Sequence, residues 1–285
     1  MGASVQTWSH GMPDMNAIVG THDIVFITLD TLRFDVASAL MKAGRTPNFS
    51  AWIGKDWEKR HTPGTFTYAA HHAFFAGFLP TPAAPGRHPR LFAAKFGGSE
   101  TTTTQTAVFE EATIVEGLRN RGYRSMCIGG VGFFNQQTPL GNVFPSMFDE
   151  AEWTPEFGVT HPKSAELQFG RAAQWLDGLN DDQRAFLFIN VSAMHQPNRH
   201  YIDGADDDDL HTHAAAFEYV DSCLPILAEA LSRRDSVFCI VCADHGTAYG
   251  EDGFEGHRLA HDVVTHVPYA EFLHKKDVLW DSEKR

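Results

Sequence analysis

The sequence is short of the features that mark several broad classes of protein. Cysteine is scarce: the four in 285 residues, Cys127, Cys223, Cys239 and Cys242, are too few for a disulfide scaffold, and none falls in a zinc-ribbon spacing. Cys239-Ile-Val-Cys242 is CxxC in form only. It lies inside an apolar run that reads as a buried strand, where thiols serve as small hydrophobes. No stretch approaches the ~18 consecutive apolar residues of a membrane helix, and no basic segment followed by an apolar one opens the chain. The expectation is a soluble, cytoplasmic protein with no membrane partner. Positive charge is in deficit as well, with 23 Lys and Arg against 36 Asp and Glu and a net charge of −13. That balance argues against nucleic acid or an anionic lipid surface as the main partner, since both require a basic face.

Histidine is what the chain has in surplus. Sixteen of them raise the expectation of a metal site, because imidazole is the commonest metal ligand.

Residues 1–21 mix Gly, Ser, Pro and Met without period and read as a loose leader, followed by a single domain over 22–285, a size at which α/β enzymes commonly form one domain. Ile24 to Leu29 is a β-branched and aromatic run of strand length that stops on Asp30, just before helical periodicity begins. Three further runs repeat the pattern: Arg124 to Ile128, Phe186 to Val191, and Val237 to Ala243. Helical periodicity marks Val36 to Ala43, Tyr68 to Ala76, Ala107 to Arg121, Ser164 to Gly178 and His211 to Arg233. Alternation of this kind predicts a three-layer α/β/α sandwich around a largely parallel sheet. Thr101 to Thr104 and Asp206 to Asp209 read as solvated loops, and Pro80 to Pro89 as a loop or short lid.

In open parallel sheets ligands bind beyond the carboxyl ends of the strands, which directs attention to Asp30, Asn190 to His195, and Asp244-His245. Asp30 alone is as often a helix cap as a ligand. Asp244-His245-Gly246 strengthens it, because an adjacent Asp and His offer a hard oxygen and a borderline nitrogen at one turn, a mixture suited to Zn2+ or Mn2+. Twelve residues later His257 closes a glycine-rich loop able to fold back over an ion. His195 follows the strand that ends near Asn190 and becomes the third histidine at the same rim. Thr67 falls at a predicted helix start. There it is either a favoured cap or a nucleophile whose alkoxide the helix dipole and a cation would favour; Thr65 is the runner-up.

The ordered set Leu29-Asp30-Thr31-Leu32-Arg33-Phe34-Asp35, Thr46-Pro47-Asn48, Thr67 to Pro80, His195-Gln-Pro197, Asp244-His245-Gly246 through His257, and Val267-Pro268 resembles the alkaline phosphatase and sulfatase superfamily over residues 22–272. The resemblance is closest to a short, cytoplasmic, sulfatase-like bacterial group. It implies that Asp30, Thr67, Asp244 and His245 hold a principal Zn2+ or Mn2+, with His257 and His195 binding a second ion or the substrate's oxyanion, so that Thr67, His195 and His257 are the catalytic residues. Substrate contacts are expected from His71, Arg33 and Arg258, with His261 a further candidate. Sulfatases carry a Cys or Ser, oxidised to formylglycine, in a CxPSR motif. Here Thr67-Tyr-Ala-Ala-His71 stands in its place, which disfavours sulfate esters. Thr31 replaces the second Asp of the sulfatase pair, which tilts the site from Ca2+ toward Zn2+ or Mn2+. Two-zinc members place an Asp four residues before the third-site histidine, where Val191 stands here beside Asn190, so one ion is implied and a second left open.

The expected activity is metal-dependent hydrolysis of a phosphate mono- or diester, on a small molecule or peptide, through a threonine nucleophile. The alternative is a phosphoryl or phosphonyl transferase; a sulfatase or a non-catalytic metal-binding protein is less favoured. Oligomeric state is not legible.

Overall fold

The computed structural model describes residues 13–77, 92–94, 107–109, 112–274 and 276. Eleven strands lie among them: β1 Asp23–Leu29, β2 Glu58–His61, β3 Phe92–Ala94, β4 Ala107–Phe109, β5 Arg124–Ile128, β6 Glu150–Glu152, β7 Ala185–Val191, β8 Val237–Cys242, β9 Ala248–Tyr249, β10 Glu255–Gly256 and β11 His266–Leu273. The α-helices are α1 Met15–Ile18, α2 Phe34–Lys42, α3 Pro47–Ile53, α4 Thr67–Ala76, α5 Ile114–Arg119, α6 Ser164–Asp177, α7 Leu210–Ser232 and α8 Asp262–Thr265. Seven strands form one sheet in the order β2-β11-β8-β1-β7-β5-β6. Its pairs are parallel except for β11, which runs antiparallel to both β8 and β2.

Strand periodicity explains why both faces are covered. Successive side chains point to opposite faces, so Val25, Ile27 and Leu29 of β1 join a core with α2, α3, α6 and α7. Ile24 joins Phe186, Phe188 and Phe238 in a second core with Phe75 of α4 and Val115 and Leu118 of α5. The result is the three-layer α/β/α sandwich the sequence predicts. All seven residues of β7 are buried, the signature of a strand covered on both sides. The four cysteines are free and buried, and burial raises the pKa of each thiol, consistent with packing roles.

The sequence reading needs correction in four places. Of the supposed leader, residues 1–12 lie outside the described residues. Asp14, however, caps α1 and Ile18 is 1% exposed, so that turn belongs to the core. The helix expected from Ala107 begins only at Ile114, where Thr113 and Glu116 form a capping box, and residues 107–109 instead pair as β4 with β3. The acidic run is more than a solvated loop: Asp208 accepts from the amides of Asn198 and Arg199, and Asp209 caps α7. Strands β2 and β11 went unread because β2 is the charged Glu-Lys-Arg-His of a sheet edge and β11 contains Pro268, which reads as a breaker. The stretches expected as loops at Pro80 to Pro89 and Thr101 to Thr104 lie outside the described residues. Among the described residues no helix is long and apolar enough to cross a membrane.

Candidate metal centre

Three adjacent parallel strands, β8, β1 and β7, end at the same rim, and their ends deliver the polar residues. Asp30 follows the last residue of β1, Asn190 is the penultimate residue of β7, and Asp244 and His245 come just after β8. Asp30, Asn190, Asp244 and His245 are 0% exposed. Gly246 lets the chain turn here, because a Cβ on it would stand 1.9 Å from the carbonyl oxygen of Val263. Thr31 takes a left-handed backbone conformation with φ of 62°, unusual for a β-branched residue. In that conformation its N–H donates to Asp244 Oδ1 at 3.2 Å. The Thr62 hydroxyl donates to the Asp244 carbonyl, fixing the same turn from below.

Thr67 is the first residue of α4. The cap position before it is Phe66, and no side chain caps this helix, so the competing capping role is ruled out. The Thr67 hydroxyl lies 3.4 Å from Asp30 Oδ2 and 3.3 Å from His245 Nε2. Thr65, the other candidate, gives its carbonyl to the amide of Arg258.

The oxygen inventory of the two carboxylates shows what the cluster lacks. Asp30 Oδ2 accepts from Asn190 Nδ2 at 3.1 Å and from Thr67, and Asp244 Oδ1 accepts from the amides of Thr31 and His245. Asp30 Oδ1 and Asp244 Oδ2 are buried with no hydrogen-bond partner. With His245 they form a group whose ligand atoms all lie within 4.8 Å of one another. His245 Nδ1 pairs with the Gly246 carbonyl at 2.9 Å, which assigns the proton there and leaves Nε2 with a lone pair, 3.5 Å from Asp244 Oδ2. Two facing carboxylates without a counter-charge are costly to bury. Burial pushes the pKa of Asp244 up to about 7, and burial together with the neighbouring Asp244 pushes that of Asp30 up to about 6. Burial also lowers the pKa of His245. Two oxygens, one nitrogen and a hydroxyl suit Zn2+ or Mn2+; the residues fit the ion.

His257 and His195 stand at the lip of this centre. Both are half-buried; the ring of His257 is 4.6 Å from that of His245 and 5.6 Å from that of His195, centroid to centroid. His257 lies outside the tight group of three, so the ligand role expected of it is not part of the buried centre. Burial, with His245 and His195 beside it, lowers the pKa of His257 to about 3.

The residues expected to touch substrate divide. Arg258 is exposed and lies over the Phe66 ring at 5.5 Å. Arg33 is 3% exposed, with its guanidinium held by Asp35 and Glu251, so it ties the glycine-rich loop to the start of α2 rather than facing a ligand. His71 is 0% exposed and bonded at both nitrogens, to the Thr67 carbonyl at 2.7 Å and Thr28 Oγ1 at 2.9 Å, so it lies under the centre. His261 caps α8 through Nδ1 and pairs with Asp252 through Nε2. Sequence reasoning missed Thr28 as part of the site, and placed Asn190 at the rim without giving it a role. The available signal was polarity: each is a polar side chain inside an apolar strand, and such a group needs a partner.

A mostly parallel sheet sandwiched by helices, with a carboxylate-histidine centre beyond its carboxyl edge and a threonine at a helix start beside it, defines a class of α/β metal-dependent enzymes. The sulfatase family model matches residues 22–270, and the chain belongs to that family. Among solved structures, the chain is similar to the soluble domain of lipooligosaccharide phosphoethanolamine transferase A from Neisseria meningitidis, at 15% identity and a TM-score of 0.63, covering 90% of this chain and 77% of that one. It is similar to the C-terminal periplasmic domain of EcEptC from Escherichia coli in complex with Zn, at 11% identity and 0.61, covering 90% and 73%. A protein in the alkaline phosphatase superfamily from Vibrio parahaemolyticus aligns at 21% identity and 0.59, covering 90% and 60%. No curated protein matches the sequence.

Proposed function

We propose that the chain cleaves a phosphate ester on a small molecule or peptide, with Thr67 as nucleophile. The observation that carries this reading is the placement of the Thr67 hydroxyl, within 3.4 Å of both a carboxylate and an unprotonated imidazole nitrogen and unused as a helix cap. A Zn2+ or Mn2+ ion held by Asp30, Asp244 and His245 supplies positive charge that favours ionised Thr67 and offsets charge on the phosphoryl oxygens. In the first step Thr67 Oγ1 gives its proton to solvent and attacks phosphorus in line. The phosphorus–oxygen bond to the alcohol breaks, and the leaving oxygen takes a proton. His195 is placed to supply it as an imidazolium: its Nδ1–H donates to the Gln196 carbonyl at 2.6 Å, so it is the doubly protonated ring that carries a second, transferable proton on Nε2. His257, with its depressed pKa, meets the substrate as a neutral ring that donates a hydrogen bond to a non-bridging oxygen. Water then attacks the phosphothreonine and restores the hydroxyl.

Thr67→Ala should lower turnover on the order of 10^3-fold or more while metal content stays near that of the parent. The measurement is hydrolysis of p-nitrophenyl phosphate, the bis-p-nitrophenyl diester and p-nitrophenyl sulfate with Zn2+ or Mn2+ supplied, beside elemental analysis. Retained turnover in the variant overturns the assignment.

Transfer to an alcohol or peptide instead of water is the second reading, supported by the shared fold with a phosphoethanolamine transferase. It uses the same first step and is separated by analysing products with added acceptors. A cytoplasmic setting completes the proposal and is checked by fractionation.

A further inference from the structure

The structure assigns Thr28, His71 and Asn190 a shared role as positioning residues. They form a hydrogen-bonded ring of fixed polarity that seats Thr67 against Asp30 and holds His71 as the neutral Nδ1–H tautomer. This rests on the reading of Asp30 and Thr67 as ion ligand and nucleophile, and names what holds them in register.

The polarity follows from the two ends of the ring, each of which has one option. The Val131 amide can only donate, and it gives its hydrogen to Asn190 Oδ1 at 3.1 Å. The Asn190 amide is thereby oriented, with Nδ2 donating to Asp30 Oδ2 at 3.1 Å and to Thr28 Oγ1 at 3.2 Å. Thr28 Oγ1, having accepted, donates its single proton to His71 Nε2 at 2.9 Å. At the other end the Thr67 carbonyl can only accept, so His71 Nδ1 carries the hydrogen, at 2.7 Å. Both derivations leave Nε2 as an acceptor and meet without conflict. The Thr67 hydroxyl, 3.4 Å from Asp30 Oδ2, closes the ring.

The surroundings remove the alternatives. Thr28, His71 and Asn190 are each 0% exposed. The His71 ring is packed by the rings of Phe74, Phe75, Phe134, Phe144 and Phe188, with centroids 5.2 to 6.1 Å away. No substrate reaches this imidazole. The consequence is division of labour within Asp30. Its Oδ2 is occupied by the ring while Oδ1 stays unpartnered for an ion, and groups behind a ligand commonly set metal affinity in this way.

Two measurements decide it. Two-bond 15N–1H correlation on histidine-labelled protein should show His71 as the Nδ1–H tautomer, with and without Zn2+; an Nε2–H tautomer or an imidazolium overturns the proposal. Thr28→Val keeps the shape and removes the donor, and should weaken Zn2+ affinity about 10- to 100-fold, with Thr28→Ser restoring it. Where an ester is turned over, kcat falls in parallel at unchanged KM. Parental Zn2+ affinity in Thr28→Val, with only a lower Tm, would make the ring structural and sink the proposal. Tautomer and affinity need no substrate, so failure of the ester reading alone leaves both results intact.

Discussion

The two ends of strand β1 carry the same side chain in opposite circumstances. Asp23 opens the strand and Asp30 follows its end, and both are 0% exposed. Asp23 is met by two arginines, Arg234 Nε at 2.7 Å and Arg184 Nη1 at 3.5 Å, and accepts from the Ala185 amide. Asp30 is met by a second carboxylate and an imidazole, with one oxygen of each carboxylate unpartnered. One end of the strand is finished by the fold. The other is left with a deficit of positive charge that a bound cation would remove, at the end where parallel sheets bind ligands.

Removing the charge at each end should therefore have opposite consequences. Asp23→Asn strands Arg234, itself 6% exposed, and should cost about 3–5 kcal/mol of stability while Zn2+ affinity is retained. Asp30→Asn should abolish Zn2+ binding and turnover, yet leave the metal-free protein equal to or more stable than its parent at pH 8, by about 1–2 kcal/mol. Urea unfolding with and without Zn2+ reads both. Equal destabilisation by the two variants would show that Asp30 is a structural carboxylate like Asp23.

The same contrast has a pH dependence of a few kcal/mol. The pKa values of Asp30 and Asp244 are raised to about 6 and about 7, chiefly by burial, so between about pH 4 and pH 7 the folded state holds protons that the unfolded chain has released. The stability these groups provide is present when they are protonated and is lost as pH rises through their folded pKa values. The contribution of these two carboxylates to the metal-free protein should thus be less favourable at pH 8 than at pH 5, read as a stability difference between the parent and Asp30→Asn that grows with pH, and Zn2+ should raise Tm more at pH 8, where it need not displace protons. A Zn2+-induced shift that is the same at both pH values would show that the carboxylates are not its ligands.

How much of this was legible follows from what strands do to a sequence. A buried strand is a continuous apolar run, so β1, β5, β7 and β8 announced themselves, and the polar residue terminating three of them marked the rim. Thr67 was found as a residue at a helix start, and only geometry excluded the capping role. Arg33 and His71 were misread as substrate contacts because sequence shows which residue types lie near a site but not which face they turn to it. Arg33 is consumed by Asp35 and Glu251, and His71 by a carbonyl and a hydroxyl. Thr28 escaped notice, and Asn190 was placed at the rim without a role, for the converse reason: within a strand, polarity signals a buried partner, and the partner comes from another strand or helix.

The smallest effect on the fold is expected at the lip. His257 follows the short hairpin of β9 and β10, whose turn contains Gly250, Asp252 and Gly253 with positive φ, and no hydrogen bond in the buried centre depends on its ring. His257→Ala should change stability by no more than about 0.5 kcal/mol and leave Zn2+ affinity within a few-fold. Turnover should fall on the order of 100-fold, the scale for loss of one donor to a developing charge. If Zn2+ affinity instead collapses in His257→Ala, the ion site extends from the buried end of β1 to the lip, and the line drawn between a sealed centre and a substrate-facing rim has to move.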